Sequence, residues 1–538
     1  MTAMPVGIVE PKSRPHVPGT VRLYDDASSA SFSTAQQHTH LKHGRDNILL
    51  VPQPSNSPND PLNWPPWKRD LTLFILCFCS ATSAIVGPAV APVAGVLVKE
   101  FHTSYSMVSR WSGWQFWASG VAGLIALAVS RVWGRRPVYV VSIVLVFVGV
   151  LWNGFSESGN SFLGARFVEG LGLGAFEMLV PTSIGDLFFV HQRGKRVALY
   201  NLSFLGCTYF MPVLGGYISV HHGWRAQFHI MAAFSGLSCL LAFFFVPEHA
   251  YNRPAIFDTD TSSRENLSEL DQHLASGQEA KDEAKQPVAS ARTEIKKTFL
   301  EELSLYNGRF SSEPVYRSLL APFVLFLYPA TLWSFLFQGT FITWGIGVSL
   351  ILAQLFTAPP YNFGPTQLGY MYAAPFIGAM VSYFAAGAFS DFLAKFMARR
   401  NNNIYEPEFR ILLVIPVAIV ALPGIYAFGY TTEAAAHWIA PSICYGLLTF
   451  GVVIVEMMVA VLLLKNFWAF GSTFFINKWV VTAGPEKMFF VIGAVQTAIC
   501  ALSAGMYVFG KVQREWVARV NLLKRAGLYP TAPQAVAH

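Results

Sequence analysis

Charged residues are scarce in this sequence. Asp, Glu, Lys and Arg make up 13% of the 538 residues, whereas soluble domains carry about 25%. Hydrophobic residues make up 53%, and they are gathered into runs of the ~20 apolar residues that a helix needs to cross a bilayer. The shortage of charge therefore excludes an ordinary soluble domain and predicts an all-α polytopic membrane protein.

Motifs for catalysis, metals and cofactors are also missing. The sequence has no Ser-His-Asp set, no Cys-x-x-Cys pair, no His-rich cluster and no Gly-x-x-x-x-Gly-Lys-Ser/Thr loop for nucleotide phosphates. Its six cysteines all lie within apolar runs, where small hydrophobic helix residues are expected rather than disulfides or metal ligands. No catalytic residue, metal site or cofactor is predicted, and an enzyme, a sensor or an ATP-driven pump is disfavoured.

The apolar runs divide the chain into two halves of six spans each. The predicted spans are 71–95, 107–129, 137–156, 161–186, 197–219, 227–246, 318–349, 367–390, 410–430, 437–464, 467–483 and 488–510. The predicted domains are a disordered N-terminal tail 1–68, a first half 69–246, a central loop 247–317, a second half 318–510 and a C-terminal tail 511–538. Two similar six-helix halves joined by a polar loop are typical of secondary transporters.

Lys and Arg residues alternate between the short loops and predict the orientation. They cluster in the loops after spans 2, 4 and 8 and in the C-terminal tail, and the loops after spans 3, 7 and 9 contain none. Because basic loops stay on the cytosolic side, both termini and the central loop are expected there. The same distribution explains the net charge of +7 without nucleic-acid binding.

The stretch 437–487 is irregular because it has to hold two spans in a short length. Lys465–Asn466 is the only polar pair that suits a cytosolic turn, so the sequence predicts a long span before it and a short span after it.

The segment Ser130–Arg136 carries the first motif and is called the elbow below. Its "SRVWGRR" resembles the Gly-x-x-x-Asp-Arg-x-Gly-Arg-Arg signature of the major facilitator superfamily at Arg131, Gly134, Arg135 and Arg136. Ser130 stands where that family has an Asp. The resemblance implies that this loop helps to hold the two halves in the outward-facing state, and that the missing Asp weakens this contact.

Two other acids belong to the expected gating apparatus. Asp391 supplies the equivalent acid in the second half. Asp186, at the end of span 4, is predicted to lie near the elbow and to form an Arg–Asp pair that breaks and reforms during transport. A simple surface ion pair is the alternative.

Span 4 carries "RFVEGLGLGAFE", whose Arg166 and glycines resemble another signature of that superfamily. Charges within a span are costly and face a partner or a wet cavity. Arg166 and Glu177 share a helix face, and Glu169 is one turn from Arg166. Glu177 is either a proton or cation carrier or a structural partner of Arg166, and for Glu169 the structural role is favoured.

Span 5 carries "MPVLGG", in which Pro212, Gly215 and Gly216 resemble the end of the Gly-Pro-x-x-Gly-Gly signature of antiporters. Such a sequence also suits a bendable, closely packed helix of any function. Together with stretches such as "NDPLNWP" and "FWAFGSTFFINKW", the motifs resemble fungal drug:proton antiporters with twelve spans. Relatives usually have roughly twenty more residues between spans 10 and 11, so this chain has either a real deletion or a missing exon.

The resemblance implies a small-molecule site near the midplane of the bilayer. Polar and aromatic residues deep in the spans are the candidates for its lining: Trp114, Gln115, Glu177, Asn201, Gln338 and Tyr383. Packing or lipid contact is the alternative for the aromatic residues, and a buried amide needs a partner in any case.

The expected function is export of a drug, toxin or secondary metabolite by alternating access, with protons as the counter-ion. An importer or facilitator of a nutrient, polyamine or organic ion on the same fold remains the alternative. The expected partners are the lipid bilayer, a small-molecule substrate and protons, with no nucleic acid. A monomer in the plasma membrane is expected.

Overall fold

The computed structural model describes residues 7–10, 21–22, 42, 50, 52–55, 57–251, 296–311, 314–401, 404–458 and 462–528. The first half consists of α1 (Pro66–Ala84), α2 (Ala94–Glu100), α3 (Tyr105–Trp133), α4 (Arg136–Gly154), α5 (Gly159–Leu187), α6 (Val190–His222) and α7 (Trp224–Phe245). The rest consists of α8 (Phe299–Glu302), α9 (Val315–Leu325), α10 (Pro329–Phe356), α11 (Pro365–Tyr370), α12 (Ala373–Arg400), α13 (Val414–Glu433), α14 (Ile439–Met458), α15 (Leu462–Ser472), α16 (Ile476–Ala483), α17 (Pro485–Val520) and α18 (Leu522–Arg525). Short 3₁₀ helices cover Pro61–Asn63, Pro88–Val90 and Pro407–Leu413, and two-residue strands β1 (Val21–Arg22) and β2 (Ile404–Tyr405) pair antiparallel.

Eleven described segments are long and apolar enough to cross a membrane. They agree with the predicted all-α membrane architecture and with eleven of the twelve predicted spans. The twelfth crossing, predicted as 467–483, is made by the two short helices α15 and α16. Residues 473–475 between them form a turn, and Phe475 precedes the second helix as its N-cap.

The predicted span 318–349 is wrong at both ends. The chain breaks after α9 at Phe326–Tyr328, and α10 starts afresh with Pro329 in its first turn and runs on to Phe356. Proline suits a first helical turn because its missing N–H has no partner there anyway. The apolar run from Ser318 therefore contains one short helix and one membrane-crossing helix, which hydropathy alone does not separate.

The predicted turn at Lys465–Asn466 is also wrong. α14 ends at Met458 and α15 begins at Leu462, so the break between the two helices comes before Lys465, and residues 459–461 lie outside the described residues. Lys465 and Asn466 lie inside α15 and are only 4% and 5% exposed. Their polarity therefore marks buried contacts rather than a loop.

Part of the predicted disordered tail packs against the helices. Asp60 caps the 3₁₀ turn that follows it by accepting a hydrogen bond from the amide of Leu62, and Leu62 and Trp64 are buried. Ile8 packs with Met397 and Phe409 of the second half. The ordered body therefore begins before residue 68.

In the described part of the chain, the two halves meet mainly along three helix pairs. α3 of the first half packs against α15, and α6 packs against α11 and α12. The loops after α3 and α5 and the end of α17 lie at one end of the bundle, which is called the basic face here because Lys and Arg are concentrated there. At the opposite face, the Tyr105 hydroxyl lies 2.7 Å from the Thr357 hydroxyl and joins the two halves.

Candidate functional site

A cavity of about 160 Å³ lies between the two halves. Its wall is mainly apolar and aromatic, with side chains from α3, α5, α6, α10, α14 and α15, among them Phe116, Phe204, Tyr209, Tyr372 and Tyr445. The cavity extends from Tyr105, the first residue of α3, to charged groups near the start of α15. This enclosed apolar space with a few polar groups is the usual form of a small-molecule site.

A cluster of charged side chains closes the cavity toward the basic face. The Lys465 ammonium lies 2.7 Å from a carboxylate oxygen of Glu177 and 3.1 Å from one of Glu456. The other Glu177 oxygen accepts hydrogen bonds from the Asn466 amide at 2.8 Å and the Ser119 hydroxyl at 3.3 Å. Glu177 and Ser119 belong to the first half and the other three to the second, so this central cluster joins the halves.

Glycines bring the helices of the central cluster together. A side chain at Gly174 of α5 would collide with the Ser119 carbonyl of α3, and one at Gly120 would lie 3.2 Å from the Phe467 ring of α15. The absence of side chains at these positions lets the backbones approach closely. Ser119 and Glu177 therefore reach Asn466 across the boundary between the halves.

The formal charges of the central cluster do not balance. Two carboxylates face one ammonium group, and all three side chains are at most 12% exposed. A buried net charge is costly unless a proton or another cation compensates it. The cluster is therefore built to take up one positive charge, either as a proton on a carboxyl group or as a cationic group in the cavity.

A second set of charges holds the elbow together within the first half. Arg135 forms an ion pair with Asp186 at 2.5 Å and donates a hydrogen bond to the Ser183 hydroxyl at 2.9 Å. Gly134 has a φ of +94°, which turns the chain so that Glu248 accepts hydrogen bonds from the amides of Arg135 and Arg136 at 3.0 and 3.1 Å. Burial raises the pKa of the Glu248 carboxyl above its ordinary value.

Two buried groups complete the elbow. Arg136 donates hydrogen bonds to the carbonyls of Phe243, Val246 and Leu303. His249 contacts Ser183 at 2.8 Å, and burial, with Arg135 nearby, lowers its pKa to about 3. The elbow therefore fixes α3, α4, α5 and the end of α7 to one another.

The whole bundle, rather than either cluster alone, matches a known family. Residues 73–506 match the family model described as Major Facilitator Superfamily. The chain belongs to the Major Facilitator Superfamily. Its two halves and central cavity are therefore those of a membrane transporter.

Relatives and one solved structure agree with this family. The MFS-type transporter C1271.10c of Schizosaccharomyces pombe is 27% identical, with 96% of this chain and 94% of that protein covered. Protein HOL1 of Saccharomyces cerevisiae is 24% identical, with 94% and 96% covered. The structure of the proton:xylose symporter XylE with 6-bromo-6-deoxy-D-glucose has a TM-score of 0.52 at 14% identity and covers 82% of this chain and 96% of XylE, which supports the fold.

Arg166 and Glu169 form a structural pair away from the central cluster. Arg166 lies 3.1 Å from Glu169 and donates to the carbonyls of Val86 and Gly87, where the chain leaves α1. Asn153 donates to the other Glu169 oxygen at 2.6 Å. The cation next to Glu177 is therefore Lys465 and not Arg166, so the expected influence of Arg166 on Glu177 does not arise in this conformation.

Five candidate lining residues lie outside the cavity wall. Trp114 packs against Phe470, and Tyr383 packs against Phe384. The side chains of Gln115 and Gln338 are fully buried between packed helices. Asn201 is half-buried on α6 and, like the other four, does not line the cavity. Of the predicted lining residues, only Glu177 faces it.

The predicted gating residues near the basic face differ in their surroundings. Arg135 and Asp186 pair as predicted, whereas Arg131 is exposed at the end of α3. Asp391 is within α12, but its side chain lies outside the described residues.

The span 5 motif forms a contact between the halves. Gly216 touches the Pro365 carbonyl, and Gly369 approaches the Pro212 carbonyl closely enough that a Cβ would lie 2.8 Å from it. Gly215 faces the side chain of Gln227 in α7. Pro212 and Gly216 therefore belong to the close packing of α6 on α11.

Glu456, Lys465 and Asn466 belong to the candidate site, but the sequence did not identify them as such. A signal was present, because Glu456 lies within an apolar run, and an acid within a span is a functional candidate by default. Glu456 and Lys465 also stand close to the end of α14 and the start of α15, respectively. An acid and a base placed in this way on two antiparallel helices are expected to meet.

Proposed function

We propose that this transporter exports small organic molecules in exchange for protons, with its basic face in the cytosol and the plasma membrane as its location. The observation that carries the proposal is the central cluster, in which two buried carboxylates from opposite halves share the Lys465 ammonium group. The Lys and Arg residues of the basic face support the orientation. The antiporter-like sequence of span 5 supports exchange with protons.

The central cluster provides a route for coupling substrate and proton. A proton on one carboxyl group makes the cluster neutral, and a proton leaving it restores a negative charge that attracts a positive group. When the halves separate, Lys465 moves away from Glu177, because the two residues are on opposite halves. Glu177 is then without its cation, and binding a proton is the way to remove its buried charge.

The apolar wall of the cavity provides the binding energy for the substrate. Aromatic side chains such as Tyr209, Tyr372 and Tyr445 offer large contact surfaces with a hydroxyl group at one end. Each half contributes part of the wall, so a bound molecule stabilises the closed arrangement of both halves. Opening on either side then exposes the molecule to that side, which is alternating access.

Efflux of fluorescent probes from yeast cells that produce the protein tests this proposal. Rhodamine 6G, a neutral dye of similar size and fluorescein serve as cationic, neutral and anionic probes. We expect at least one probe to leave faster from cells with the wild-type protein than from cells without it. We expect a protonophore or the Glu177→Gln substitution to reduce this efflux at least tenfold, and Glu157→Gln, at an exposed carboxylate, to leave it unchanged.

Other outcomes would contradict separate parts of the proposal. Efflux that persists at full rate with the protonophore would contradict proton coupling. Energy-dependent accumulation of a probe in the producing cells would reverse the direction and favour the importer.

A further inference from the structure

The first turns of α15 pack on α3 and α5 well before those two helices end at the basic face. Leu464 and Phe467, in the first turns of α15, pack against Leu124 of α3 and Met178 of α5. α3 continues from Leu124 to Trp133, and α5 continues from Met178 to Leu187, nine residues further in each case. At 1.5 Å per residue, these two helices extend about 14 Å beyond the level of Leu464.

The short helix α9 packs into the space beside these extensions. Leu319 of α9 and Phe326, just after it, pack on the same Leu124 and Met178 pair as the start of α15. α9 also contacts α3 along its length and α18 at the end of the chain. Its other side is apolar and exposed, with Leu320 46% and Phe323 48% exposed, which suits contact with lipid.

Contacts on both sides connect α9 to both halves. Before α9, Phe310 donates a backbone hydrogen bond to Val132 at 2.8 Å, and Glu302 forms an ion pair with Lys68 at 2.6 Å. After α9, only residues 326–328 separate it from α10 of the second half. A movement of the halves apart therefore pulls α9 in two directions.

The apolar cluster around α9 directly adjoins the charged end of the cavity. Met178 follows Glu177 in the sequence, and Leu464 precedes Lys465. Along α3, Leu124 lies between Ser119 of the central cluster and the end of the helix at the basic face, so a path beside α3 passes this cluster.

We propose that α9 is the gate of the basic face and that Leu319 leaves α3 each time the cavity opens to that side. The inference rests on the alternating access of the proposed function and is independent of its proton coupling and of its substrate. The gate is a segment of the chain between the halves, which lies beside the part of α3 that extends beyond the contacts of Leu464.

Labelling of the cavity from the basic face tests the gate. Thr208 lines the cavity, and Thr208→Cys introduces a thiol there. Membrane vesicles with the basic face outward are treated with a membrane-impermeant maleimide, and the same protein without this cysteine gives the background. We expect Leu319→Ser to increase the labelling rate about five- to tenfold, because it weakens the contact that keeps the gate closed. Leu320→Ser, on the exposed side of α9, is the matched control and is expected to leave the rate unchanged.

A disulfide provides the opposite experiment. Leu124→Cys and Leu319→Cys are combined with Thr208→Cys, and the disulfide is formed with an oxidant before labelling. We expect the locked protein to lose labelling from the basic face and a reductant to restore it. Equal labelling of locked and reduced protein, equal rates for the two serine variants, or failure of the disulfide to form would each overturn the gate. Because neither protons nor substrate enter the measurement, these outcomes are separate from a failure of the export experiment.

Discussion

The elbow and the central cluster both consist of arginine or lysine side chains paired with carboxylates. The elbow connects helices within the first half, whereas the central cluster connects the two halves. The described contacts of Arg135 and Arg136 lie in the first half, at Glu248 just after it, or in the segment 299–310 packed on it. Lys465 instead joins Glu456 of its own half to Glu177 of the other. The comparison indicates that the elbow makes the first half rigid, whereas the central cluster resists the separation of the halves.

The position of α15 explains this difference. Leu464 of α15 packs on α3 about 14 Å before the end of α3, so the described part of α15 lies away from the elbow. The charged contact between α3, α5 and α15 is therefore made at the depth of Ser119 and Glu177. Close to the basic face, the contact next to α3 is the apolar one with α9.

Replacing Lys465 is expected to have the largest effect. Lys465→Met leaves the Glu177 and Glu456 carboxylates together without a cation, and breaking a buried ion pair in this way costs about 3–5 kcal/mol. We expect at least a tenfold loss of probe efflux, and partial recovery when Glu456→Gln is added, because one of the two unpaired charges is then removed. Lys478→Met, at an exposed lysine of α16, is the control. Normal efflux by Lys465→Met would remove the central cluster from the mechanism.

Replacing Glu177 and replacing Glu169 are expected to have different effects. Glu169→Gln leaves the fully buried Arg166 without its carboxylate, so we expect the free energy of unfolding to fall by about 3 kcal/mol. Glu177→Gln keeps a hydrogen-bonding side chain at the cavity, so we expect a smaller loss of stability together with loss of proton-dependent efflux. Thermal unfolding in detergent and efflux from cells measure the two properties. The same pattern of losses in both variants would contradict the division into structural and functional acids.

Ser130→Asp is expected to have a small effect, whereas the family signature implies a larger one. The Ser130 hydroxyl donates to the Leu127 carbonyl of its own helix, and the first turns of α15 pack on α3 at Leu124, before this level. A new acid at this position therefore has no partner in α15. We expect less than a twofold change in the maleimide labelling rate of Thr208→Cys. A shift as large as the one expected for Leu319→Ser would mean that the elbow connects the halves after all.

The pH dependence of stability is expected to be the smallest effect. His249 has a pKa of about 3 in the folded protein, below the ordinary histidine value of 6.5. Between these two values, the unfolded chain binds a proton that the folded protein does not, so stability falls as the pH falls below about 6.5. We expect the unfolding temperature to decrease between about pH 7.5 and about pH 5, and to decrease less in His249→Gln. An identical decrease in both proteins would assign the pH dependence to other groups.

Most of the helices could be predicted from the sequence, because each span is recognised from the hydropathy of its own segment. The runs that became α3, α4, α5, α6 and α7 are mainly apolar and end at polar or Gly-containing loops. Hydropathy did not separate α9 from α10, because both are apolar and the break depends on three residues before Pro329. It also assigned Lys465 to a loop. The residue type alone does not show whether a lysine is paired inside the bundle or exposed to water.

The sequence by itself determined a polytopic membrane bundle in two halves, its basic face, and Glu177 as the acid of interest. Helices with so few charges and such long apolar runs are expected to be surrounded by lipid. Only the tertiary structure decided which partner each charge has, pairing Arg166 with Glu169 and Glu177 with Lys465. The physical reason is that hydropathy is a property of each segment, whereas a buried charge is stabilised by groups that come from distant parts of the chain.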